Sequence, residues 1–106
     1  MGILVITCFK PKEGKEAELI EVLKDHMPVL RKEGLVTDRE CYVMKSKSGN
    51  YLEVFEWKSQ QAISDAHSNK NVHALWERFE KVCEYDTLSS LEESKMMFPG
   101  FEPVNF

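Results

Sequence analysis

The chain is short of cysteine, glycine and proline, has no surplus of basic residues, and contains no long apolar run. Its three cysteines, Cys8, Cys41 and Cys83, are an odd number at wide spacing, which suits neither a disulfide framework nor a Cys-x-x-Cys metal or redox site. They read as reduced thiols of a cytoplasmic protein. Five glycines and four prolines in 106 residues leave no linker and no low-complexity segment. Fourteen Lys and Arg against eighteen Asp and Glu give a net charge of −4, so the basic face that nucleic acid requires is missing. No stretch approaches the roughly 20 apolar residues that cross a bilayer. The opening run, residues 3–8, is too short for a signal peptide and has no basic leader, which predicts a cytoplasmic location with no membrane partner. Gly34 and Gly49 stand alone, and neither G-x-G-x-x-G nor G-x-x-x-x-G-K occurs, so any chemistry is expected to run without a nucleotide cofactor. What remains is 42% hydrophobic and 30% charged, the balance of a folded domain with room for one core, and residues 1–106 are read as a single domain.

Residues 3–9 form a continuous apolar run rich in β-branched side chains, the pattern of a strand covered on both faces. From Gly14 to Gly34 the apolar positions Leu19, Ile20, Leu23, Met27 and Leu30 recur at three and four, the stripe of an amphipathic helix with Pro28 as a kink. His26 and His73 fall on or near polar faces and are assigned no role. After Gly34 the period drops to two: residues 36–46 and 50–57 read as a hairpin turning at Lys47-Ser48-Gly49. Tyr51, Glu53, Phe55 and Trp57 share one face of its second arm. Ser59 caps a short helix reaching His67, and Asn69 caps a second with the stripe Val72, Leu75, Trp76, Phe79 and Val82. Residues 85–91 supply a fourth strand with Leu88 and Leu91 buried. Residues 92–106 hold too many large apolar groups to stay in water, which predicts a packed C-terminal tail.

A β-α-β-β-α-β order in about 100 residues is the ferredoxin-like split βαβ arrangement, an α+β fold with a four-stranded antiparallel sheet and helices on one face. The doubly apolar first strand predicts that a second copy of the chain covers the other face, making a homodimer.

The segment from Leu52 to Ser59, followed by Ala62, His67, Val72 and Leu75-Trp76, resembles the antibiotic biosynthesis monooxygenase family of the dimeric α/β-barrel superfamily. The likeness runs from Ile3 to about Leu91. It implies two ferredoxin-like subunits packed sheet to sheet, each with a pocket between sheet and helices. Members of that family include cofactor-free oxygenases of quinols and polyphenols, haem-degrading enzymes, an isomerase of a signalling molecule, and many proteins of no known activity. Two departures matter. Where the family often has a Glu two residues before the strand-ending Trp, this chain has Phe55, with Glu53 and Glu56 on either side. Where the haem-degrading branch relies on an Asn, a Trp and a His, this chain has Thr7, Ala66 and Trp76, which disfavours that reaction. The resemblance thus implies a cofactor-independent monooxygenase acting on a small aromatic or quinol-like substrate. The alternative is a non-catalytic dimeric barrel protein, either binding a small apolar ligand or purely structural.

His67 is the candidate catalytic base, because helical spacing puts it one turn after Ile63 on the apolar stripe. The commoner role for such a residue is to bond a backbone carbonyl at the helix end. Trp76 is read as a pocket wall that stacks on a flat substrate, and Phe55, Tyr42, Met44 and Thr7 as lining from the strands. Trp57 reads as core. The three His lie far apart with no i, i+4 pair, so no metal site is expected.

Overall fold

The computed structural model describes residues 2–106. Strand β1 (Ile3–Pro11) pairs antiparallel with β3 (Tyr51–Trp57), placing Val5 opposite Phe55 and Thr7 opposite Glu53. The alternation of side chains along these strands creates two unlike faces. Odd-numbered residues such as Phe9, Tyr51, Phe55 and Trp57 are buried against the helices, whereas Leu4 and Ile6 point away from them.

Helix α1 (Glu16–Lys32) buries Leu19, Leu23, Met27 and Leu30 and ends at Gly34, whose φ of 71° favours a residue without a Cβ. The helix continues through Pro28, which is exposed, as is Lys24, whose carbonyl loses its partner to the proline ring. Ser59 Oγ accepts from Ala62 N to start α2 (Gln60–Ala66), and Asn69 Oδ1 accepts from the N–H groups of Asn71 and Val72 to start α3 (Lys70–Val82). Arg78 of α3 is held to Asp25 of α1 at 2.9 Å.

Three strand expectations are corrected. The first hairpin arm narrows to β2 (Tyr42–Lys45), with only a single bridge from Val36 to Trp57 before it. The charged run Asp38-Arg39-Glu40 does not alternate and loops outward. There the backbone bond from Thr37 N to Glu56 O is joined by Thr37 Oγ1 and Arg39 Nε, which both donate to Glu56 Oε1. Strand β4 (Cys83–Asp86) starts directly from α3, and two 3-10 turns (Leu88–Ser90 and Glu92–Lys95) follow it, burying Leu91 but leaving Leu88 exposed. The sheet also has five strands rather than four, because the tail supplies β5 (Glu102–Pro103) beside β2, with Val104 N donating to Val43 O at 2.9 Å.

The resulting order, β4-β1-β3-β2-β5, is antiparallel throughout. The fold is α+β, with three helices packed on one sheet face, and is compatible with a ferredoxin-like arrangement. On the other face the tail crosses only part of the sheet. Leu91 and Phe101 cover Cys8, Leu52 and Met44, while Leu4 and Ile6 stay uncovered. Within the tail expected to pack, Phe98 is 86% exposed. No helix among the described residues is long and apolar enough to cross a membrane.

Candidate functional site

A cavity of 440 Å³ lies between the sheet and the helices. Strands β1 and β3 contribute Val5, Thr7, Phe9, Phe55 and Trp57 to its wall; Trp76 and Phe79 of α3 and Tyr85 of β4 close the sides. Of the lining expected from the sequence, Thr7, Phe55, Trp76 and His67 are brought together here. Tyr42 is not. It stands opposite Val54 on the far face of the sheet, 57% exposed, because its register places it one residue out of phase with Val43. Met44 shares that far face. Trp57 is buried, as a core residue should be, and also forms cavity wall.

His67 sits at the exposed end of α2, where its Nδ1 bonds the carbonyl of Ile63 at 2.8 Å and its ring meets Trp76 edge-on at 5.2 Å. This is the helix-end arrangement weighed above against a catalytic role. His73 stacks on Trp76 as well, its ring centroid 5.9 Å away.

The buried polar group of the cavity is one to which the sequence reading gave no role. His26 of α1 is 5% exposed and forms part of the cavity wall, held edge-on by Phe55 and Phe79. Its Nδ1–H donates to Glu53 Oε1 at 2.5 Å, and Glu53 is fully buried. The assignment of His26 to a polar surface is therefore corrected. It falls three residues after Leu23 and four before Leu30, in phase with the buried stripe. Glu53 sits on the helix-facing side of β3 between Tyr51 and Phe55, as its alternation predicts. Each residue alone looks like a lapse in an apolar pattern. Only the docking of α1 over β3 shows that the two lapses meet.

With Nδ1 committed to Glu53, the imidazole presents Nε2 as its free nitrogen. Among the described residues, Nε2 makes no hydrogen bond, and the one fully buried side-chain polar atom without a partner is Glu53 Oε2. Nε2 thus keeps accessible surface, and His26 lines the aromatic cavity. A buried carboxylate with an orphaned oxygen is costly, by about 1–3 kcal/mol. Such groups persist where they serve a site. Tyr85 has its phenol pKa pushed up by lost hydration first, then by Cys83 and by Glu80 at the cavity rim. Among the described residues no three His, Cys, Asp or Glu side chains converge as metal ligands would. The arrangement can take a proton from a hydroxyl in an apolar, aromatic enclosure. No protein-family model, curated protein or solved structure matches this chain.

Proposed function

We propose that the cavity is the active site of a cofactor-independent monooxygenase acting on a small hydroxylated aromatic such as a quinol. The observation that carries this reading is the buried His26 on the cavity wall, held from behind by the buried Glu53. Glu53 holds the imidazole in the tautomer that leaves Nε2 as an acceptor, and its negative charge stabilises the imidazolium formed when the substrate hydroxyl gives up its proton. The proton moves from the aromatic O–H to Nε2, and the phenolate passes an electron to O2. The two radicals join as a C–O–O bond at a ring carbon bearing hydrogen. Loss of water from that peroxide, with the proton returned by the imidazolium, leaves one oxygen in the oxidised product and the other in water, the substrate being the only reductant. The protein supplies the base, orientation between Trp76 and Phe55, and exclusion of water. In this reading the base is His26, and His67 frames the rim.

The reading extends to the homodimer that the family resemblance implies. Leu4 and Ile6, 59% and 51% exposed, stand on the open sheet face beside the equally exposed Tyr42. A second copy packed sheet to sheet would cover this row.

The experiment is oxygen uptake by the wild-type protein across hydroquinones, catechols and anthrones, run beside ligand binding to the same compounds. Consumption above the uncatalysed background on a compound that binds supports the oxygenase. Binding without consumption across the whole panel replaces it with the ligand-binding reading.

A further inference from the structure

The charges around the cavity indicate which ligands it selects, an argument that rests on the reading of that cavity as a ligand site. Six Phe, Trp and Tyr rings and the imidazoles of His26 and His67 wall it, and no Lys or Arg is part of its lining. The formal charge at its rim is Glu80, exposed on the last turns of α3. Among the described residues the Glu80 carboxylate enters no ion pair. Lys12 approaches the same turn, but its Nζ donates to the Glu80 backbone carbonyl at 2.7 Å, satisfying the helix end. Just outside the mouth, Glu77 and Glu80 flank a shallow hollow with His73 and Trp76, adding a second carboxylate. Glu53 lies behind the inner wall. Aromatic faces carry a negative quadrupole that attracts cations, and a cleft with apolar walls concentrates the field of the charges at its mouth.

We infer that the cavity selects hydroxy-aromatics bearing a cationic arm over those bearing an anionic one, with Glu80 at the mouth as the selecting residue. The hydroxyl end lies toward His26, and the arm reaches back toward the rim. An anionic arm meets carboxylates and ring faces, with no Lys or Arg to receive it and only the imidazoles of His26 and His67 in the lining. A cationic arm gains both Glu80 and the ring of Tyr85. One carboxylate acting across a few Å of partly hydrated cleft changes affinity by about tenfold. The preference falls as salt screens the rim.

The test uses three phenols of matched size: tyramine, 4-ethylphenol and 4-hydroxyphenylacetate. Binding is followed through the indole N–H signals of Trp57 and Trp76 in NMR titrations, since both rings line the cavity. Tyramine should bind most tightly, 4-ethylphenol next and 4-hydroxyphenylacetate least, with a cation-to-anion ratio of about tenfold or more. Glu80→Gln should bring that ratio toward one. Glu92→Gln, which removes the same charge from an exposed 3-10 turn, should leave it standing. If 4-ethylphenol binds but the three phenols bind equally, the charge selection is overturned and the cavity remains a ligand site. If Glu92→Gln lowers the ratio as much as Glu80→Gln, the preference belongs to the net charge of −4 and the role of Glu80 is overturned. If none of the three moves either indole signal, the cavity reading falls, and the selection with it.

Discussion

The two faces of the sheet are built from the same strands and use their apolar residues for different ends. On the helix side, Phe9 stacks on Phe79 at 4.8 Å and the packing is nearly complete, yet it leaves a cavity and a buried hydrogen-bonded couple, His26 and Glu53. On the open side, Leu91, Leu52 and Cys8 form a small dry cluster under the tail, and the packing stops beyond it at Leu4 and Ile6. A single core that needed only stability would fill the first face and cover the second. On the proposed reading, ligand chemistry belongs to the helix side and the open side is the surface available to another chain.

The largest expected effect separates the covered and uncovered halves of the open face. Leu91→Ala removes a buried side chain that pins the tail and should cost about 2–5 kcal/mol of stability in denaturant unfolding. Ile6→Lys, a few Å along the same sheet, should cost an isolated subunit no more than about 0.5 kcal/mol, because its side chain already meets solvent. In sedimentation, wild type should run near twice the chain mass and Ile6→Lys near the single mass. Equal destabilisation of the subunit by the two substitutions would erase the distinction between covered and uncovered halves.

A smaller effect sharpens the comparison at the tail. The buried Glu93 carboxylate accepts from Ser46 Oγ at 2.8 Å and from Lys47 N at 3.0 Å, tying the second 3-10 turn to the hairpin. The Lys47 amide, followed by the backbone amide of Glu93 itself and the Ser46 hydroxyl, holds the Glu93 pKa below its ordinary 4.5. A lowered carboxylate pKa contributes stability that is fully present above the ordinary value and lost as pH falls through the lowered one. Glu93→Gln should therefore lower Tm at neutral pH and flatten its fall below pH 4.5. An unchanged acid limb would mean that the tail is not held by this carboxylate.

Much of this was legible in the sequence. Alternation on β3 and spacing on α3 place Phe55, Trp76 and Phe79 correctly, because burial on one face sets both periods. The caps at Ser59 and Asn69 are local chemistry and are found where expected. Alternation says which residues share a face and not which face meets the helices, and Tyr42 lies on the face turned away from them. His26 was passed over for a related reason: a polar residue in an apolar stripe has meaning only with its partner, and Glu53 is 27 residues away on another element. The fifth strand depends on the tail finding an edge, which no local period encodes.

The most direct measurement compares His26→Gln with His67→Gln in oxygen uptake on a substrate that wild type accepts. Loss of a general base is worth about 10²-fold or more in rate, and His26→Gln should show it with the fold retained by circular dichroism. His67→Gln, whose Nδ1 contact to Ile63 is a helix-end bond, should stay within a few-fold of wild type. A large loss in His67→Gln beside near-normal uptake in His26→Gln would contradict the assignment of the buried pair as the working base.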